Sequence, residues 1–300
     1  MPVYPRMENA VSIVIVSYKT RDLLRKCLDA VYGTAARPVE VYVVDNASGD
    51  GSVEMVQEAF PQVKVISNAE NRGFAAANNQ ALRLVDTPYV MLLNPDTELQ
   101  DDALERLLTE LENLRPQAGI LAAQLLNSDG SPQASESKYY SFWDTLLNNR
   151  AFRTHQPEKQ YGKEPKPIDW AHGAVMVFRK SLMDDIGLLD EGFFIYAEEI
   201  DYYLRAKKAG YTAYLIPEAK VIHHGAASTR QKRSEMFIQN YRSFYRLLRK
   251  HYSWLDYVAY RVRSLLLILF WRIRFTLKGD KELQALYRDL WKWHLNPQES

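Results

Sequence analysis

Val11-Ser-Ile-Val-Ile-Val-Ser17 is a nearly unbroken β-branched run, ended by the polar Tyr18-Lys-Thr-Arg-Asp22. Without regular polar alternation, such a run reads as a strand buried on both faces, as in a parallel sheet covered by helices. Working outward, Asp22 to Tyr32 carries apolar residues at helical spacing and is stopped by Gly33 and Pro38. A second strand, Val39 to Val44, runs into the turn-forming Asp45-Asn-Ala-Ser-Gly-Asp-Gly-Ser52. There Ser52 is placed to cap a helix reaching Phe60, with Pro61 just past its end. Strand Val63 to Ser67, helix Phe74 to Val85 and strand Tyr89 to Asn94 continue the alternation. This spacing predicts an α/β fold, a mostly parallel central sheet flanked by helices. Beyond it, strands are expected over Gly119 to Asn127, Ile168 to Phe178 and Tyr211 to Ile216. Helices are expected near Ser181 to Ile186 and over Glu198 to Ala209, and residues 131–167 show no clear period.

The 300 residues carry 38 basic and 37 acidic side chains, a net charge of +1. With 47% hydrophobic and 25% charged residues, the composition excludes intrinsic disorder and a polytopic membrane protein. The single cysteine, Cys27, can form neither an internal disulfide nor a multi-thiolate zinc site, which fits a reducing compartment. Val11 to Val16 is too short for a signal peptide, so a cytoplasmic location is expected. The charge is unevenly spread. Residues 231–300 hold 14 basic and 6 acidic residues, a net +8, which leaves −7 for residues 1–230. An acidic first domain, 1–230, is thus expected before a basic, aromatic and helical extension, 231–300.

In open α/β sheets, ligands bind beyond the carboxyl ends of the strands. Here those ends carry Ser17-Tyr18, Asp45-Asn46, Asn71-Arg72 and Asn94-Asp96. Taken singly, Asn46, Ser48 and Gly49 are ordinary turn formers; the set looks like a nucleotide site. Asp96, at the mouth of a buried strand, can hold Mg²⁺ or Mn²⁺, hard ions that also take diphosphate oxygens. Glu198, Asp201 and Arg205 can share one helix face, which sends Glu199 in another direction. Acids at a helix start also occur for dipole reasons alone. His223-His224-Gly225, followed by Ser228-Thr229, could offer one imidazole to a metal. Zinc is disfavoured, because no third and fourth ligands are visible.

In this order the segments resemble the family 2 glycosyltransferases, inverting enzymes of the GT-A fold, and most closely their rhamnosyltransferase-like branch in polysaccharide and O-antigen assembly. The resemblance rests on Val11 to Tyr18, Val43 to Ser52, Asn71-Arg-Gly-Phe-Ala-Ala-Ala-Asn78 and Leu93-Asn-Pro-Asp-Thr97. It continues through Trp170-Ala-His-Gly-Ala174, Phe194 to Arg205, and His223 with Ser228-Thr229. It implies a nucleotide site of Ser17, Tyr18, Asp45, Asn46, Arg72, Asn78 and Asn94, with Asp45 reading the pyrimidine edge. Asp96 matches the last acid of the family's Asp-x-Asp motif, while Asn94 replaces the first. His223 matches an additional metal ligand, for Mn²⁺ or Mg²⁺. Glu199 matches the acid that deprotonates the acceptor, where many relatives carry Asp, and Glu198 stands in reserve. Trp170, His172, Gly173, Ala174 and Asp201 are implied to line the donor-sugar and acceptor pocket.

The donor the branch implies is dTDP-rhamnose, with a UDP-sugar such as UDP-galactofuranose as the alternative, and the acceptor a glycan or lipid-linked glycan. A sugar-nucleotide pyrophosphorylase would need a Gly-rich phosphate loop after the first strand, where this chain has Ser17-Tyr-Lys-Thr-Arg-Asp22. A non-catalytic sugar-nucleotide-binding scaffold is countered by retention of Asp96, Glu199 and His223. No motif supports nucleic-acid binding. In the extension, Leu265 to Trp271 is far shorter than the roughly 20 residues a spanning helix needs. Arg263, Arg272 and Arg274 bracket it. Two readings stay open for it: a helix packed on the protein or on a second copy in a homodimer, or a peripheral helix on the cytoplasmic face of an anionic membrane.

Overall fold

The computed structural model describes residues 10–139, 162–225 and 233–295. Contacts divide the chain into two compact units. One comprises residues 1–138, 154–194 and 198–228, the other residues 139–153, 195–197 and 229–300.

The first unit begins with β1 (Val11–Ser17), α1 (Arg21–Thr34), β2 (Val39–Asp45), α2 (Ser52–Ala59), β3 (Lys64–Ser67), α3 (Phe74–Leu82) and β4 (Tyr89–Leu93). It continues with β5 (Thr97–Leu99), α4 (Ala103–Asn113), β6 (Ala118–Leu126), β7 (Glu136–Ser137), β8 (Lys166–Ile168) and β9 (Trp170–Ala171). Then come β10 (Val175–Arg179), α5 (Lys180–Ile186), α6 (Glu198–Lys208) and β11 (Thr212–His223). A nine-stranded sheet runs β3-β2-β1-β4-β10-β6-β11-β5, with β8 also on β11. The strands β3, β2, β1, β4, β6 and β11 point one way, and β10, β5 and β8 run against them. The sheet is therefore mostly parallel.

β1 is buried along its whole length, as its composition predicts. Alternation along the strand sends Val11, Ile13 and Ile15 into a core with Leu24 and Leu28 of α1 and Leu104, Leu107 and Leu111 of α4. Val14 and Val16 are buried on the opposite face, where α3 packs on β1 and β2. Burying each such side chain stabilises the unit by roughly 1.5–3 kcal/mol.

The structure departs from the sequence reading in four places. Gly51, in the left-handed region at φ 80°, is the N-cap of α2, and Ser52 lies inside the helix with its hydroxyl on Asp50. The expected strand Ile168 to Phe178 is broken into β8, β9 and β10, with a turn at residues 172–174 that faces the site. Pro217 does not end β11; the strand passes through it at a register shift between Ile216 and Lys220, where a missing ladder donor is tolerated. β5 and α4 occupy a stretch for which no element was expected.

The second unit is helical: α7 (Arg233–His251), α8 (Trp254–Lys278) and α9 (Lys281–Leu295). A capping box of Ser253 and Asp256 starts α8, and Gly279, at φ 73°, ends it. Ile268, Leu286 and Leu290 form its core, joined by Ile238, Tyr241 and Trp291. Among the described residues no helix is long and apolar enough to cross a membrane.

Candidate active site

Strands β1, β2, β4 and β11 end at one edge of the sheet, and the antiparallel β10 starts there. Backbone bonds staple the edge: Asn46 N donates to Ser17 O at 2.8 Å, Asn68 N to Asp45 O at 2.9 Å and Asn94 N to Ala174 O at 2.9 Å. Ser17, Tyr18, Asp45, Asn46, Asn94, Asp96, Gly173, Ala174 and His223 are thereby gathered along it. Ser228 and Thr229 lie outside the described residues.

Asp45 borders a cleft of about 600 Å³ lined by Ala47, Gly49, Ser52, Ser67 and Asn68. Its carboxylate is buried; Oδ2 accepts from Ser48 N at 3.1 Å, while Oδ1 has no partner among the described residues. Leaving a buried acceptor unmet costs about 1–3 kcal/mol, so a ligand N–H is the natural complement. Ser17 shapes the neighbouring turn, its hydroxyl on Thr20 and its carbonyl taking Asn46 N. Tyr18 is half-buried beneath the Lys19 ammonium, 5.4 Å from its ring.

The remaining nucleotide candidates divide by role. The Asn46 side chain is fully used within the protein, donating to Asn71 Oδ1 and Gly73 O and accepting from Arg72 N and Asn68 Nδ2. It fixes the 71–73 loop from inside. Arg72 has an exposed side chain on that loop. Asn78 is buried and donates to Phe74 O in its own helix, so it braces α3. Gly73 is required where it stands: φ is 82°, and a Cβ would lie 2.4 Å from Phe194 O. Phe74 N donates to the same carbonyl at 2.6 Å.

On the other side of β4, Asp96 Oδ1 and His223 Nε2 face each other at 3.5 Å. Gln133 decides what that contact is. Its amide nitrogen donates to His223 O and Asn127 Oδ1, which leaves Oε1 as the acceptor 2.7 Å from His223 Nδ1. Nδ1 therefore carries the proton. Burial holds His223 below the usual imidazole range against the pull of Asp96. A neutral ring protonated at Nδ1 turns a lone pair at Nε2 towards a carboxylate oxygen, with no proton between them. Two acceptors so placed fit a divalent cation. Among the described residues no third carboxylate, imidazole or thiolate joins them. Beside this pair, His224 bonds to Glu98 and Ser128 and ties β11 to β5 and to the turn after β6. Cys27 is no nucleophile, since burial pushes its thiol up to about 12.

Tyr196 and Ala197, both in the left-handed region at φ 70° and 66°, precede the two glutamates that open α6. Glu198 turns inward, buried, with Oε2 unpartnered. Burial, then the Glu199 charge, raises its carboxyl well above the ordinary range, which favours the protonated form. Glu199 is half-buried and lies over Gly173, where a Cβ would touch Glu199 Cβ at 3.4 Å. Trp170 is buried, its indole donating to Lys138 O at 2.9 Å, with His172 edge-on at 6.2 Å. Burial, with His223 next, drives His172 down to about 4 and keeps it neutral. Asp201 does not join the others. It is fully buried and paired to Arg205 at 2.8 Å, whose guanidinium also holds Leu188 O. Gln133 and the His224–Glu98 pair were missed in the sequence, because the first lay in an aperiodic stretch and the second spans 126 positions.

The fold is GT-A. The chain belongs to glycosyl transferase family 2, whose model matches residues 12–187. It is similar to N-acetylglucosaminyl-diphospho-decaprenol L-rhamnosyltransferase of Mycobacterium tuberculosis, 25% identical over 93% of this chain and 92% of that relative. It is also similar to the rhamnosyltransferase WbbL of Escherichia coli K12, 25% identical over 79% of this chain and 92% of that one. A solved mannosyltransferase from Pyrobaculum calidifontis, in complex with GDP-Man and Mn²⁺, shares the fold with a TM-score of 0.57. It is 16% identical, covering 96% of this chain and 88% of that one.

Proposed function

We propose that this glycosyltransferase moves rhamnose from dTDP-rhamnose to a lipid-linked glycan acceptor, with inversion, in cell-surface polysaccharide synthesis. Residues 1–230 carry the chemistry, and residues 231–300 make peripheral contact with the cytoplasmic face of a membrane. The observation that carries the reading is the half-buried Glu199 on Gly173, beside the buried Glu198, at the sheet edge that also bears Asp96 and His223. The rhamnosyltransferase relatives support the choice of donor.

Asp45 accepts the N–H of the pyrimidine, which answers its unpartnered Oδ1. Asp96 and His223 Nε2 hold Mn²⁺ or Mg²⁺, which supplies Lewis-acid charge for the departing diphosphate when bound. Trp170 and Gly173-Ala174 bound the sugar pocket. Glu199 takes the acceptor hydroxyl proton as that oxygen bonds to the anomeric carbon and the bond from that carbon to the diphosphate oxygen breaks. A single displacement from the opposite face inverts the anomeric centre.

The test is nucleoside diphosphate release across a panel of sugar nucleotides, with Mn²⁺ or Mg²⁺ and with EDTA. Metal-dependent release from dTDP-rhamnose is expected. Preference for UDP-galactofuranose would overturn the donor, full activity in EDTA would overturn the metal, and release from no donor would leave a binding scaffold.

A further inference from the structure

The outer face of α8 carries a continuous apolar stripe. Leu255, Val262, Leu266, Phe270, Ile273 and Leu277 are between 50% and 83% exposed. At 3.6 residues per turn they fall within an arc of about 80° and run roughly 33 Å along the helix. The opposite face, with Tyr260, Ser264 and Ile268, is buried in the helical unit. Cations flank the stripe: Arg263 and Arg274 lie along one edge by helical position, Arg272 along the other. α8 holds five basic residues and one acid, Asp256, which is consumed in the capping box.

We propose that this face lies flat in the interface of an anionic lipid membrane, with the stripe among the acyl chains and the flanking arginines on the headgroups. The proposal deepens the membrane contact suggested above and rests on that part of the reading. Charge complementarity selects the occupant. A second copy docked by the same face would set arginine edges against each other, and α8 has no acid free to meet them. A spanning role is closed, because no described helix is long and apolar enough. An anionic bilayer satisfies both halves of the face, apolar depth under the stripe and negative charge at its edges.

Flotation of the full chain tests this, with vesicles of phosphatidylcholine and phosphatidylglycerol against phosphatidylcholine alone. Wild type is expected to float with the anionic vesicles at low salt and to dissociate as salt rises. A Leu266→Glu/Phe270→Glu/Ile273→Glu variant, altered only at exposed positions, is expected to stay at the bottom with unchanged circular dichroism and Tm. Arg263→Gln/Arg272→Gln/Arg274→Gln should float less and lose its salt dependence. Wild type that never floats, or a triple-Glu variant that floats equally, overturns the proposal. So does a wild-type dimer in light scattering that the triple-Glu variant makes monomeric, since the stripe would then be a subunit interface. Calorimetry with dTDP, without lipid, separates the two readings: binding without flotation sinks the docking face alone, and flotation without binding sinks the dTDP-rhamnose donor alone.

Discussion

Adjacent glutamates at the start of α6 have opposite fates, and burial decides them. Glu199→Gln should lose about 10²- to 10⁴-fold in kcat, the usual worth of a general base, while calorimetry shows dTDP affinity unchanged. Glu198→Gln should retain activity and gain stability. Its folded pKa is raised, so the stability it contributes is full below the unfolded value near 4.5 and is lost as pH rises through the folded one. The Tm advantage of Glu198→Gln over wild type should therefore widen as pH rises above about 4.5. An inactive Glu198→Gln beside an active Glu199→Gln would assign the base to the wrong carboxylate. Gln133 is a positioning residue on the same scale. Gln133→Met removes the acceptor at His223 Nδ1, so the metal-free protein should show a changed imidazole tautomer by ¹⁵N NMR. Mn²⁺ affinity should fall about 10- to 100-fold. An unaltered tautomer and unaltered affinity would deny it that role.

Among the elements, β1 and β2 were legible because buried strands read as β-branched runs and their ends as polar turn clusters, while β3 and β4 were legible from their place in the strand–helix alternation. Asp96 and His223 were legible as a pair only through the family's order of segments. Its support was not, since Gln133 meets His223 across 90 positions and no local pattern encodes such a pairing. The break of Ile168 to Phe178 was hidden for a similar reason: Trp170 and Val175 are both β formers, and the turn between them is set by the Ser135 and Asn94 backbones on either side. Asn46 was legible, taken singly, as a turn former, and its side chain is spent on the 71–73 loop. That loop makes the sharpest prediction for an element. Gly73→Ala places a Cβ on Phe194 O, ahead of the segment that delivers Glu199. Strain in that backbone region costs about 1–3 kcal/mol before the clash is counted. The variant should show a lower Tm and a fall in kcat together; wild-type values for both would mean the 194 segment yields at no cost.

Across the whole chain, a net charge of +1 conceals −7 in residues 1–230 and +8 in residues 231–300. On the proposed reaction an acidic part that takes a doubly charged diphosphate needs positive charge from elsewhere, and Asp96 and His223, facing each other at 3.5 Å, would hold it as a cation. The basic part suits the anionic surface proposed for it, where a lipid-linked acceptor would be confined. On the proposed function both halves of this division serve one event, a single displacement at the anomeric carbon with Glu199 taking the proton. The most direct test is the anomeric configuration of the first product formed from dTDP-rhamnose, followed by NMR during turnover. Wild type should give a linkage inverted relative to the donor, and Glu199→Gln the same linkage at a rate lower by about 10²- to 10⁴-fold. A retained configuration would contradict the account, because it requires a covalent or front-face route in which Glu199 is not the base.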